Sequence, residues 1–181
     1  MNTLYGQVSE HVLSKAAKIK LLVCDVDGVF SDGRIYLGND GEELKAFHTK
    51  DGFGMKALEK SGVKTAVITG RNSNIVKTRM KALNVAHIIQ GEEDKLPALK
   101  QLAASLALKP EQIAFIGDDV PDLPCIEHVG LGVAVADAHP LIASNANYVT
   151  FTKGGFGAVR ELCDLIMQTQ GTLSSAKGAS V

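Results

Sequence analysis

The sequence has no apolar run approaching the ~20 residues of a membrane span, and its first residues lack the basic-then-apolar order of a signal peptide. Both absences point to a cytoplasmic protein with no membrane partner. An excess of either charge is missing too. Its 19 lysines and arginines nearly cancel 20 aspartates and glutamates, so no broad field is available to attract nucleic acid. Recognition of anions has to be local. Cysteine is scarce: Cys24, Cys125 and Cys163 are odd in number, far apart and without metal-ligand spacing, and they read as buried thiols in a reducing compartment.

What is present is apolar residue, 45% of 181 positions, enough for one core and hardly for two, so residues 1–181 are expected to form a single domain. Helical spacing of Val8, Val12 and Ala16 predicts a leading helix over 8–18. Short apolar runs then recur at 19–24, 63–68, 85–89, 113–116 and 132–135. Between them the apolar residues of 54–60, 73–83 and 95–106 return every three or four positions. That alternation predicts an α/β fold with a parallel sheet and covering helices. One segment breaks it: residues 34–47, with Gly38, Asn39, Asp40 and Gly41 at their centre, read as a β-hairpin directly after strand 1. A last helix is expected over 157–168 and a flexible tail over 171–181.

In open α/β sheets ligands bind beyond the carboxyl ends of the strands. The residues following the apolar runs here form a set: Asp25, Val26, Asp27 and Gly28; Thr69, Gly70 and Arg71; Gly117, Asp118 and Asp119. Carboxylates crowded at strand ends repel one another unless a cation sits among them. Magnesium suits them, since it takes carboxylate and carbonyl oxygens and bridges to substrate phosphate, and Asp25 and Asp118 are its candidate carboxylates. Asp25 is the candidate nucleophile. Asp27 is the candidate acid for the leaving oxygen and then base for water, with Gly28 easing the turn that lets both face one pocket. Thr69 and Lys95 are candidate donors to the phosphoryl oxygens. Lys95 opens a helix directly after Glu92, Glu93 and Asp94, where the helix dipole disfavours lysine. An anionic ligand explains that placement; an exposed lysine is the plain alternative.

Each signal alone is weak, and their order is specific. DVDG from Asp25, TGR from Thr69, Lys95, and GDDVPD from Gly117 together resemble the haloacid dehalogenase superfamily. The resemblance implies a three-layer Rossmann-like sheet, Asp25 as nucleophile and metal ligand, and Asp27 as acid/base with its carbonyl on the metal. It also implies Asp118 as metal ligand and Asp119 and Asp122 as supporting carboxylates. Longer stretches, SDGRIYLGNDGEELKAFHTKDGFGMK, ADAHP, GAVRELCDLI and AKGASV, are similar to the subfamily of 3-deoxy-D-manno-octulosonate 8-phosphate phosphatases of lipopolysaccharide synthesis. That likeness implies no large cap domain and a homotetramer whose hairpins form a central barrel and cover neighbouring active sites, with the tail closing over a neighbour's site. It also implies that His48, Thr49, Lys50, Asp51, Gly52, Lys56, Gly70, Arg71 and Arg79, with Asp27 and Lys95, hold a sugar acid phosphate. Two positions depart from the subfamily's pattern: Lys50 stands in place of an arginine, and Phe156 fills a Gly-Gly-x-Gly position that is often basic.

His11, His87, His128 and His139 have no ligand spacing and are assigned no chemistry; His48 is either a ligand residue or hairpin surface. Arg34 reads as hairpin surface or interface, and Arg160 with Glu161 as a helix-surface or intersubunit pair. A phosphoacceptor receiver module shares the acidic cluster, hydroxyl, lysine and magnesium. Its phosphoacceptor follows a later strand, however, whereas here the alternating aspartates already follow strand one. A dinucleotide site is disfavoured because no GxGxxG follows a strand and the early turn is acidic. Among phosphatase substrates the alternative is another sugar acid phosphate, such as an N-acylneuraminate 9-phosphate.

Overall fold

The computed structural model describes residues 2–176. Six parallel strands, β1 (Leu21–Cys24), β4 (Lys64–Thr69), β5 (His87–Gln90), β6 (Ile113–Gly117), β7 (Leu131–Ala134) and β8 (Tyr148–Val149), form one sheet in the order β5-β4-β1-β6-β7-β8. Between β1 and the first crossover helix lies a separate two-stranded hairpin, β2 (Tyr36–Leu37) and β3 (Glu43–Leu44), with Tyr36 opposite Leu44. The helices are α1 (Glu10–Ala16), α2 (Thr49–Lys60), α3 (Asn74–Ala82), α4 (Lys95–Ser105), α5 (Leu123–His128), α6 (Pro140–Asn145) and α7 (Ala158–Thr169). This is the α/β parallel sheet with a hairpin after strand 1 that the sequence predicts.

Alternation along the strands sorts the core into two layers. Leu22 and Cys24 of β1 and Ala114 and Ile116 of β6 pack on one face with α1, α2, α3 and α7. Leu21, Val23, Ile113 and Phe115 face the other way, against Leu99 and Leu102 of α4, Ile126 of α5 and Ile142 of α6. A sheet covered on both faces needs strands apolar on both, which is why these runs are continuous rather than alternating. The chain builds outward from β1 through β4 to β5, then crosses back to β6 on β1's other side. Strand order therefore reverses at β1, and a crevice opens beyond its carboxyl end.

Two short helices, α5 and α6, and the two-residue strand β8 carry too little periodicity to be read from the sequence. Helix α2 begins five residues before the expected 54, because Gly52 and Gly54 interrupt the helical pattern of its first turns. Gly54 is there for packing: a Cβ would stand 2.9 Å from the Arg160 side chain and 3.2 Å from Cys163 Cβ on α7. Within the segment expected as a tail, Leu173–Ser175 forms a 3-10 turn, with Leu173 and Ala176 packed on the core. Residues 177–181 of that expectation lie outside the described residues. All three cysteines are buried and free. Among the described residues no helix is long and apolar enough to cross a membrane.

The expected surface role of Glu161 is overturned: the residue is fully buried on α7, and its carboxylate holds the loop after β8. Oε1 accepts from the Tyr148 hydroxyl at 2.6 Å and Phe151 N–H at 2.8 Å, and Oε2 from the Thr152 N–H at 3.0 Å and hydroxyl at 2.6 Å. Removing it strands several buried donors, each worth about 1–3 kcal/mol when left unpaired. Glu161→Ala should therefore lose about 3 kcal/mol of stability or more, read as a lower urea midpoint with an unchanged slope.

Candidate active site

At the end of β1 the chain turns sharply. The N–H groups of Val29, Phe30 and Ser31 all donate to the Val26 carbonyl, which folds Asp25, Asp27 and Gly28 around the strand end. Gly28 has φ of 91°, and a Cβ there would lie 2.1 Å from Asp118 Oδ2. Glycine thus does more than ease the turn: it makes the room into which the Asp118 carboxylate reaches from β6. Asp118 is held in its turn by its carbonyl, which accepts from His139 N–H at 2.8 Å.

The expected Lys95 is neither exposed nor loose. It is 5% exposed, and its Nζ lies 2.7 Å from Asp25 Oδ1 and 2.6 Å from Asp122 Oδ1. Asp122 uses its other oxygen to accept from the N–H groups of Asp118 at 3.0 Å and Asp119 at 3.4 Å. One buried carboxylate therefore fixes both the lysine and the loop after β6. Asp25, Asp27, Gly33, Thr69, Gly70, Arg71, Glu93, Lys95, Asp118, Asp119, Pro121 and Asp122 line a cavity of about 510 Å³. A cavity of about 600 Å³ beside α3 and β5 is larger, but its lysines, Lys77 and Lys81, are exposed and no carboxylate lines it. The chemistry lies with the smaller one.

Electrostatically this cluster is short of positive charge. Burial, then repulsion from Asp122, raises the Asp25 carboxyl to about 7 despite Lys95 beside it. Burial, then the charges of Asp25 and Asp122, raises Asp118 to about 8. Lys95 shows the converse: burial opposes its charge, yet Asp25 and Asp122 outweigh that and raise its pKa. Oxygens of Asp25, Asp118 and Asp122 lie within 4.8 Å of one another. This all-oxygen set with excess negative charge fits a hard divalent cation such as magnesium. Asp25 and Asp118 are its better ligands, since both Asp122 oxygens are already engaged.

Of the residues expected to hold substrate, Asp27, Gly70, Arg71 and Lys95 line the cavity; His48, Thr49, Lys50, Asp51, Gly52, Lys56 and Arg79 do not. His48 caps α2, its Nδ1 accepting from Lys50 N–H at 3.1 Å. Asp51 is wholly buried against α7, where Oδ1 accepts from Arg160 N–H at 2.8 Å and Oδ2 has no hydrogen-bond partner among the described residues. Arg160 is anchored too, over the Phe53 ring at 4.5 Å and to Asp164 at 2.8 Å. Two residues went unnoticed in the sequence: Lys45, whose Nζ contacts the Asp27 carboxylate, and Glu43, which forms an ion pair with Lys45 and accepts a hydrogen bond from Arg71. Their signal was an inverted alternation, with polar Glu43 and Lys45 turned inward and Leu44 out at 64% exposure.

A family model of haloacid dehalogenase-like hydrolases matches residues 84–161. The 3-deoxy-D-manno-octulosonate 8-phosphate phosphatase of Yersinia pestis is 52% identical over 181 residues, covering 100% of this chain and 97% of its own. The chain belongs to the haloacid dehalogenase-like hydrolases. The crystal structure of the Yersinia pestis phosphatase matches with a TM-score of 0.98 over 100% of this chain and 98% of that one. The family member from Moraxella catarrhalis, solved with magnesium, phosphate and KDO, is 42% identical, with a TM-score of 0.91 over 93% of this chain and 97% of that one. The strand-end carboxylates, Thr69 and the buried lysine meet in one cavity.

Asp118→Asn relieves repulsion among the clustered carboxylates and removes a candidate metal ligand. The variant should melt higher than wild type in EDTA, whereas added magnesium should raise wild type and leave the variant unmoved. Asp51 gives a pH signature. Burial raises it to about 7, against the opposing pull of the Arg160 N–H and charge, so the native state retains a proton that the unfolded chain gives up near 4. Its contribution to stability is complete below about pH 4 and is lost as pH rises to about 7. Asp51→Asn should remove that dependence and stabilise the protein by about 2–4 kcal/mol at pH 8, read from urea unfolding at several pH values.

Proposed function

We infer that the protein is a magnesium-dependent phosphatase that hydrolyses 3-deoxy-D-manno-octulosonate 8-phosphate to the free sugar acid and phosphate. The observation that carries this is the buried Asp25 at the end of β1, with Lys95 at 2.7 Å and Asp118 in the same cavity, in a chain 52% identical to such phosphatases along its whole length.

The reaction divides among this chain's own residues. Asp25 attacks phosphorus through a carboxylate oxygen, the bond to the sugar oxygen breaks, and an aspartyl phosphate forms. Asp27, at the cavity mouth, gives its proton to the departing oxygen. It then takes a proton from the water that attacks the phosphorus, regenerating Asp25. Lys95 and Thr69 hold the migrating phosphoryl oxygens by charge and hydrogen bond, already aimed and shielded from water. Magnesium, when bound at Asp25, Asp118 and the Asp27 carbonyl, neutralises phosphoryl charge and keeps both carboxylates ionised. Asp119 and Asp122 support that arrangement.

Arg71, half exposed at the rim, is the cation within reach of the sugar acid's carboxylate. Asp51 and Gly52 are held inside their own chain; His48, Thr49, Lys50, Lys56 and Arg79 contribute from assembled copies, in a homotetramer built on the hairpins. Support for that assembly comes from the hairpin's outer face, where Ile35, Tyr36, Leu37 and Leu44 are exposed apolar residues on a two-stranded ribbon too small to be stable alone. The setting is the cytoplasm, where lipopolysaccharide sugars are made. Lys50, which lacks the forked guanidinium of an arginine, and Phe156, at a position that is often basic, leave an N-acylneuraminate 9-phosphate as the second reading of the substrate.

The test is phosphate release with magnesium across a panel of sugar acid phosphates and simple sugar phosphates. Wild type should prefer the octulosonate phosphate, and both Asp25→Asn and EDTA should reduce turnover by at least about 10³-fold. Preference for the nine-carbon substrate supports the second reading. No turnover by folded protein defeats both.

A further inference from the structure

The hairpin supplies a cation that the reaction outlined above leaves without a part. Lys45 follows β3, and its side chain is 1% exposed. Its Nζ contacts Asp27 Oδ1 and lies 3.1 Å from Glu43 Oε1. Glu43 Oε2 lies 3.0 Å from Arg71 Nη2, and Arg71 lines the cavity. A line of alternating charges therefore runs from the cavity rim, through the hairpin, to the carboxylate assigned to proton transfer.

An ammonium is buried this completely only where carboxylates receive it, and an apolar side chain would fill the same space with no desolvation cost. Hairpin pairing gives no reason for it either. The two strands pair through their backbones between Tyr36 and Leu44 and between Leu37 and Glu43, and their apolar side chains point outward. The charge at position 45 has its use at Asp27.

We infer that Lys45 is a positioning residue for the acid/base step. It engages Oδ1 of Asp27 and leaves Oδ2 as the oxygen that exchanges the proton, and Glu43 braces it from the side of Arg71. Proton transfer depends on an oxygen standing within hydrogen-bond reach of the atom it serves, so a carboxylate free to rotate spends much of its time misaimed. The hairpin thus orients the acid of its own chain's site. This inference rests on the phosphatase reading of Asp27.

Its test is steady-state kinetics of the full chain with magnesium, on both octulosonate phosphate and p-nitrophenyl phosphate, for wild type, Lys45→Met and Lys45→Arg, with a thermal melt of each. Lys45→Met should lower kcat by about tenfold or more on every substrate wild type turns over, with KM within about threefold. Lys45→Arg, which restores a cation of similar reach, should return kcat to within about threefold of wild type. Should Lys45→Met not fold, Lys45→Gln carries the same expectation. An unchanged or raised kcat overturns the inference, as does a loss confined to KM, or an equal fall for Met and Arg that follows the melting temperature. Wild type that hydrolyses p-nitrophenyl phosphate and not octulosonate phosphate defeats the substrate assignment, and the first substrate then decides the role of Lys45. Wild type active on both, with Lys45→Met unaffected, defeats this inference alone.

Discussion

Lys95 stands between Asp25 and Asp122, its ammonium 2.7 Å from one and 2.6 Å from the other, and 5% exposed. The rest of the site follows from that buried pairing. A lysine at the first position of a helix opposes the dipole, so α4 begins there against its own local preference, and the two carboxylates offset the cost. Asp122 passes the constraint on, since the oxygen not bound to Lys95 draws in the N–H groups of Asp118 and Asp119. The end of β1, the start of α4 and the loop after β6 are thereby tied to one point, which is the strand-order reversal of the sheet.

The arrangement stores electrostatic tension and turns it to use. A single ammonium faces three carboxylates, and the pKa values of Asp25 and Asp118 rise because burial and mutual repulsion outweigh it. A divalent cation would supply the missing positive charge and cancel the repulsion, so that a phosphate could enter beside Lys95. The site is thus complementary to metal and phosphate together, as phosphoryl transfer requires, because most of its catalysis consists of placing charge around the migrating group. Around it the fold supplies rigidity. Glu161 pins the loop after β8, and that loop meets the base of the hairpin where Gly155 N–H donates to the Val29 carbonyl at 2.9 Å.

The sheet and the catalytic carboxylates were legible because each is written locally. Strands buried on two faces show as apolar runs, and residues after them fall at the carboxyl ends by geometry alone. Lys95 was legible for a subtler reason, its misfit with the helix dipole. What stayed hidden depends on contacts between distant segments. Nothing near Glu161 announces that it will be buried under four donors, and nothing near Asp51 reveals that Arg160, 109 positions on, will donate to it. Lys45 lies between: its inward turn was written in the inverted alternation of the hairpin, but its partner Asp27 is 18 residues back in a different element.

In the proposed reaction Asp25 itself receives the phosphoryl group, held there by Lys95. Acid quenching of the enzyme during turnover, followed by proteolysis and mass spectrometry, tests it most directly. The expected result is a phosphorylated peptide whose modification maps to Asp25 and disappears when substrate is exhausted. Turnover with no phosphoenzyme at any quench time, or a phosphoryl group mapped to another residue, would contradict it.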